Sequence, residues 1–456
     1  MKIGFVSTRF AGTDGVSLET SKWAQVLEAQ GHTCFWFAGE LDRTPSRCSL
    51  VPEAHFSHER NQWINEHLLG KRRRAPQISS AIHSMRSRLK LQLHQFINRF
   101  GIDLLIPQNA LSLPMQLPLG LALTEVIAET GVPTIAHHHD FAWERPRYAV
   151  FAAADYVAMA FPPRLSNVSH VVINSQAAQQ LAHRTGIGAQ VIPNVLDFKH
   201  PPQLNRTKVG RLRAILGLTD ADTVILQPTR VVQRKGIEHA IALVRALDRP
   251  NSKLVISHAS GDEGHAYADW LKDHAKDQGV DLRFLEVDLG DPWNPHPATP
   301  PEFTLNDIYP LADMVTFAST CEGFGNAFLE AIYHGKPLLV NQYEIFQTDI
   351  APLGFHLATM DGYLTVDTVK QIQAILETPL QRQQMAAANY EIARRHFSYE
   401  NLRRSLAQLM AGVQPASMEY PHMAESAAAS DAKIFYLHGN TRQGHRRSQG
   451  PLRASQ

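Results

Sequence analysis

Short apolar runs alternate with amphipathic helical stretches twice along this chain, and nothing else constrains its fold as strongly. The first series opens with "MKIGFVS", "SLETSKWAQVLEAQGH" and "TCFWFAG". It continues through "IDLLIPQN", "LPLGLALTEVIAETG" and "VPTIAHHHD". "YVAMAF", "HVVINS" and "AQVIPNV" read as its remaining strands. The second series runs from "TVILQPTR" through "GIEHAIALVRAL", "SKLVISHAS", "HAYADWLKDHAKDQG" and "DLRFLEV" to "DMVTFAST" and "GKPLLVN", with a short helix at "FTLNDIYPLA". Strand–helix alternation of this kind builds parallel sheets, because parallel neighbours need long crossovers that helices supply. Between the series, "DFKHPPQLNR" (197–206) carries two adjacent prolines and polar neighbours, the composition of a linker.

The reading is therefore α/β, with two Rossmann-like, doubly wound lobes at 1–196 and 207–396, facing each other. A chain of 456 residues suits two domains. Residues 397–412 continue as helix, and 413–456, rich in Ala, Ser, Gln and Arg, are expected to be mostly disordered apart from a short piece at "KIFYLHG". Open parallel sheets bind ligands at the carboxyl ends of their strands, so facing lobes make a cleft for two substrates.

Composition narrows the class. Hydrophobic residues at 44% and charged residues at 19% describe a soluble globular protein. A net charge of +1 gives no global field for nucleic acid or membrane. The three cysteines are too few for a disulfide framework and favour a reducing cytoplasm. The first residues lack a signal-peptide core, and no run approaches the roughly 20 apolar residues that span a bilayer. No histidine pair outside "HHHD" has a convincing metal spacing. The expectation is a cytoplasmic protein with no nucleic-acid partner and no bound metal.

Four stretches carry chemistry. In "CEGFGNAFLEA" (321–331), Glu322 falls in a loop and Glu330 in the helix that follows, which ends at Gly335 before Pro337. Gly325 and Asn326 open that helix, where free amides bind anions. Standing alone, Glu330 is an ordinary charge favoured by the helix dipole. In "TRVVQRKG", Arg230 ends a strand and Lys235 precedes a helix, placing two cations near one another; the plain alternative is a solvated basic turn. "FAGTDGVS" (10–17) puts Gly15 at a helix start. "HHHDFAWERPRY" (137–148) ends a strand in histidines, of which His137 and His138 alternate in direction, so one belongs to the core. Arg145 and Arg147 suit an anionic partner or a surface salt bridge.

Residues 71–100 form a basic amphipathic stretch. Ile78, Ile82, Met85, Leu89, Leu93, Phe96 and Phe100 recur every three to four residues. The favoured reading is a core-facing helix with a solvated basic face. Contact with an anionic membrane is the alternative.

Taken in order, "DGVS", "HHHD", "IPNVLD", "PTRVVQRKGI" and "EGFGNAFLEA" resemble the motifs of retaining GT-B glycosyltransferases of the group-1 type (family 4-like), which include bacterial mannosyltransferases and sucrose-phosphate synthase. The likeness covers about residues 1 to 410. It implies the GT-B fold, a nucleotide-sugar donor such as a UDP- or GDP-hexose, retention at the anomeric carbon, and no required cofactor or metal. Carried over by position, Arg230 and Lys235 contact the donor phosphates, with amides from Gly15, Gly325 and Asn326. Glu330 takes the ribose hydroxyls, and Glu322 lies near the transferred sugar. His139 takes the catalytic position, and Asp140, Glu144 and Arg145 face the acceptor. The "SYENLRRSLAQLM" helix is expected to cross back to the first lobe. Two departures stand out: Asp14-Gly15 replaces paired glycines, and "QYEIFQTDI" replaces a glycine-rich loop. "HHHDFAWERPRY" and "VNQYEIFQTDI" also resemble the mannosyl- and glucosyl-glycerate solute synthases, with a polar, anionic acceptor. Alternatives on the same fold are a glycosyltransferase acting on a lipid at the inner face of the membrane, an epimerase, and a nucleotide-sugar-binding protein without turnover.

Overall fold

The computed structural model describes residues 1–258 and 265–412. The expectations for 413–456, including "KIFYLHG", and for the last two residues of "SKLVISHAS", lie outside them.

The first lobe has a seven-stranded sheet of β1 (Lys2–Val6), β2 (Thr33–Ala38), β3 (Cys48–Leu50), β4 (Leu104–Pro107), β5 (Thr134–His138), β6 (Val168–Val172) and β7 (Gln190–Val191). Its helices are α1 (Gly15–Ala29), α2 (Glu59–Glu66), α3 (Pro76–Phe100), α4 (Leu117–Thr130), α5 (Ala154–Ala160) and α6 (Ser175–Thr185). Strand order is β3-β2-β1-β4-β5-β6-β7, all parallel. The second lobe begins with α7 (Arg206–Ile215), β8 (Thr223–Gln227), α8 (Ile237–Leu247), β9 (Ser252–Ile256), α9 (Ala266–Asp277) and β10 (Asp281–Phe284). After the short pair β11 (Leu289–Gly290) and β12 (Phe303–Thr304) come α10 (Leu305–Ile308), β13 (Met314–Phe317), α11 (Asn326–Tyr333), β14 (Leu338–Asn341) and β15 (Ala358–Met360). Helices α12 (Val366–Glu377), α13 (Pro379–His396) and α14 (Tyr399–Ala411) follow. The main sheet is β10-β9-β8-β13-β14-β15, again parallel. The order reverses between β1 and β4 in one lobe and between β8 and β13 in the other. These two switch points are where an open sheet leaves a crevice.

The periodic stripe of α3 is buried throughout, from Ile78 to Phe100, and packs chiefly on α4. Each such side chain contributes about 1.5–3 kcal/mol by leaving water. The polar face of α3 is largely paired: Arg86 and Lys90 with Glu125, and Lys90 also with Glu129. Arg74, just before the helix, pairs with Asp155.

"YVAMAF" is helix, not strand. It forms most of α5, whose Val157 and Phe161 lie on one face, four apart, against α4. The Phe161 ring fills the space beside Gly120, where a Cβ would come within 2.1 Å of it. A six-residue apolar run fits either period, and here packing on α4 decides. "AQVIPNV" yields only the two residues of β7.

Three features join the lobes. Helix α14 returns to pack on α1, with Tyr399 Oη donating to Gln25 Oε1 at 2.8 Å. Asp349, from the "QYEIFQTDI" segment, accepts from Ser175 N at 2.7 Å and Ser175 Oγ at 2.5 Å at the head of α6. A strap between β10 and α10 reaches across to α1 and the loop after β2. In it, buried Asp291 accepts from Ser21 Oγ at 2.5 Å, beside buried Arg43 at 3.7 Å. Gln25 Nε2 donates to Trp293 O at 2.7 Å, and His296 meets Glu28 at 2.8 Å.

Candidate active site

The carboxyl ends of β8 and β13 bring two cations to one carboxylate, with a third, Arg230, near Lys235. Lys235 Nζ forms an ion pair with Glu322 Oε1, and Arg234 Nη1 lies 3.4 Å from Glu322 Oε2. Burial pushes the Lys235 ammonium below its ordinary range, Glu322 opposes this, and Arg234 and Arg230 reinforce it. Burial alone would raise Glu322, but Lys235 and Arg234 outweigh it and hold the carboxylate below its usual value. Arg230 has no ion-pair partner among the described residues, so the cluster carries surplus positive charge. His258, bonded to Ser257 Oγ at 2.7 Å, adds none. Burial, with Lys235 and Arg230 nearby, lowers its pKa to about 4.

The loop after β13 turns at Gly325, at φ +119°. A Cβ there would sit 2.7 Å from Tyr343 Oη and 2.9 Å from the Phe317 ring, so only glycine fits. No side chain caps α11, which leaves its first amides to other partners. One turn on, Glu330 is 4% exposed. Its Oε2 accepts from Tyr309 Oη at 2.5 Å, while Oε1 is buried with no partner. Burial raises its pKa, against Tyr309 and Lys22. A buried carboxylate with one oxygen unmatched suits a ligand bearing hydroxyl donors.

The first lobe answers from the ends of β1, β4 and β5. Asp14 caps α1, accepting from Val16 N at 3.1 Å and Ser17 N at 3.2 Å. Two amides that follow Gly15 are therefore already held by a carboxylate, which turns back into its own helix. Gly15 itself faces Asn326 across the cleft, a Cβ on it lying 3.6 Å from Asn326 Nδ2. Asn194 of "IPNVLD" donates to Asn326 Oδ1 at 2.6 Å. His139 is almost buried and meets the opposite loop: a Cβ on Gly323 would lie 3.3 Å from His139 O. Burial is the main force lowering the pKa of His139 to about 4, with Asp140 and Asp14 opposing.

Residues 209–392 match the family described as glycosyl transferases group 1. Over 442 residues the chain is 30% identical to mannosylglucosylglycerate synthase of Thermotoga maritima, covering 90% of this chain and 99% of the relative. The chain belongs to the group 1 glycosyltransferases. The mannosylglucosylglycerate synthase of Petrotoga mobilis is also 30% identical, over 383 residues, covering 79% of this chain and 86% of the relative. Among solved structures, sucrose-phosphate synthase from Thermosynechococcus elongatus superposes with a TM-score of 0.63 at 14% identity, over 90% of this chain and 98% of that one. The two facing parallel-sheet lobes are those of the GT-B glycosyltransferases.

In this glycosyltransferase Arg230, Lys235, Gly325, Asn326 and Glu330, expected to face a donor, lie about the second lobe's switch point, and Gly15 heads α1 in the first lobe. Of the three assigned to an acceptor, two pair with each other and the third bonds its own loop. Arg145 Nη2 donates to Asp140 Oδ1 at 2.6 Å, both partly exposed. Glu144 Oε2 accepts from Phe141 N at 2.8 Å, folding its own loop, and burial raises its carboxyl to about 7. Sequence reading passed over Tyr309, Asn194, and the buried α1 pair Lys22 and Glu19, joined at 2.7 Å. Periodicity marked α1, but nothing in its text showed that its charges face the other lobe.

Proposed function

We propose that the chain is a retaining hexosyltransferase that moves a hexose from a nucleotide sugar to a hydroxyl of a glycerate-type acceptor, without a metal ion. The observation that carries this reading is the pairing of Arg234 and Lys235 with the single carboxylate of Glu322, opposite His139, with Arg230, unpaired among the described residues, near Lys235. Surplus fixed cations can hold a departing diphosphate as its charge develops. Arg230 grips oxygens in a fork, and Lys235 acts as a point charge. The open amides of α11 add to them, and the unmatched oxygen of Glu330 takes the ribose hydroxyls. No protein carboxylate stands as an anomeric nucleophile in this reading. The acceptor oxygen bonds to the anomeric carbon on the face the diphosphate leaves, and its proton passes to the leaving phosphate oxygen. The relatives' names support a glycerate-type acceptor; we assign Asp140, Glu144 and Arg145 to it by their place beside His139.

The lipid alternative has less support. The apolar face of α3 is spent on the core, and most cations of its polar face are paired. Among the described residues no helix is long and apolar enough to cross a membrane.

A thermal-shift screen of nucleotide sugars, followed by product mass and anomeric configuration with a glycerate-type acceptor, tests the proposal. Inverted product or an absolute need for divalent metal would each remove one part of it. His139→Ala that binds donor but transfers nothing separates an enzyme from a binding protein.

A further inference from the structure

Beyond the end of β4 lie Gln108 and Asn109, which the motif reading left as the tail of a strand. Gln108 is fully buried, and its Oε1 lies 2.9 Å from His137 Nδ1 and 3.1 Å from His139 Nε2. As the amide is placed, its oxygen faces both rings and each ring presents an N–H to it, while Gln108 Nε2 and His137 Nε2 stay buried without a partner among the described residues. Asn109 works on the adjoining backbone. It sits at φ +59°, a left-handed conformation that Asn adopts more readily than most residues. Its Oδ1 accepts from His139 N at 3.0 Å and Asp140 N at 3.1 Å, while its own N–H donates to His137 O at 2.8 Å. Trp23 of α1 stacks on His137 with ring centroids 4.2 Å apart, and the His137 and His139 centroids are 4.4 Å apart. Two consecutive residues thus grip the "HHHD" turn, one by its rings and one by its amides.

We propose that Gln108 is a positioning residue that fixes His139 as its Nε2–H tautomer, through the one amide oxygen it shares between His137 and His139, leaving Nδ1 to accept a hydrogen bond from a substrate hydroxyl. The proposal rests on reading the cleft as a glycosyl-transfer site. His139 Nδ1 has no hydrogen-bond partner among the described residues and is absent from the buried unpartnered atoms, and the residue keeps 9% of its surface open. The charges facing the ring are Asp14 and Lys22 from α1 and its neighbour Asp140, with His137 and His138 on its own strand. Burial prevails over the carboxylates, so the ring is neutral near neutral pH. A neutral ring bound this way has one lone pair to offer. It welcomes a hydroxyl and repels a carboxylate or phosphate oxygen at the same spot, which makes it a filter for the orientation of a ligand carrying both.

The test is nitrogen NMR of the full chain labelled with ¹⁵N-histidine, with His139 assigned by the signals lost in His139→Phe. The wild type is expected to show His139 in the Nε2–H form, without titration between about pH 5.5 and 8. Gln108→Leu, which keeps the bulk and removes the acceptor, is expected to mix the tautomers. Its kcat should fall by about 10- to 100-fold, with KM for the donor changed by less than about twofold. Gln108→Glu keeps an acceptor oxygen and adds negative charge, which favours the imidazolium. It should retain the Nε2–H form and acquire a loss of kcat on the acid side of neutrality. An Nδ1–H signal in the wild type overturns the proposal whatever the kinetics, and needs no variant to fold. Unchanged tautomer in Gln108→Leu overturns it too, as does a Gln108→Glu enzyme that behaves like Gln108→Leu. A wild type that transfers hexose from no nucleotide sugar defeats the proposed function and leaves the tautomer result standing.

Discussion

Lys235 shows how one side chain is set by its neighbours. It is buried between a carboxylate and two arginines, and its charge is sustained mainly by Glu322. Lys235→Ala is expected to weaken donor binding by about 2–4 kcal/mol, since it strips a charge partner from a desolvated site. Titration calorimetry with the donor nucleotide checks this, and unchanged affinity would take Lys235 out of the site. Arg230, Lys235 and Glu330 stood out in the sequence because each lies in a short segment whose spacing carries meaning. The partners of those residues could not. Tyr309 stands 21 residues before the glutamate it bonds, and Gln108 stands 31 residues before His139. Only the sheet's crossovers bring them together. Arg145 and Asp140 were legible as neighbours, but not as partners of each other.

At the scale of the element, α3 is the clearest success of pattern reading and α5 the clearest failure. Seven apolar positions over 25 residues permit one period, whereas the six residues of "YVAMAF" permit two. The stripe on α3 bears weight: Leu89→Ala, fully buried against α4, should cost about 2–5 kcal/mol in urea unfolding. A much smaller cost would mean that the helix is a surface addition. Such a result would reopen the membrane reading, since the stripe would then be available to lipid. The "QYEIFQTDI" segment was legible as a departure from pattern and as part of the likeness to the glycerate solute synthases, but not as a contact. The structure gives it work that a glycine-rich loop could not do, because Asp349 supplies a carboxylate to the head of α6.

For the whole molecule, the lobes could be anticipated from the repeated alternation, but their fastening could not. The strap falls in "DPWNPHPATP", a stretch with no periodicity, and its partners lie about 270 residues upstream. Asp291 makes the fastening sensitive to pH. Burial raises its carboxyl from an ordinary 3.8 to about 6, against Ser21 and Arg43. A raised carboxyl holds its proton more tightly folded than unfolded. Its contribution to stability is therefore complete below pH 3.8 and is lost as pH climbs through about 6. Asp291→Asn carries no such proton. Its Tm relative to wild type should shift in the variant's favour across that window and hold steady above it. A difference that does not move with pH would show that the carboxyl is not perturbed.

Helix α1 is held by α14 and by the strap through a shared side chain, Gln25, whose Oε1 accepts from Tyr399 Oη and whose Nε2 donates to Trp293 O. Two fasteners that share one side chain pin the lobes together at that point. The mouth of the cleft should keep nearly constant width through a catalytic cycle, with sugar and acceptor threading in past loops. Small-angle scattering should give the same radius of gyration with and without nucleotide, and Trp293→Gly should make that radius grow when nucleotide is withdrawn.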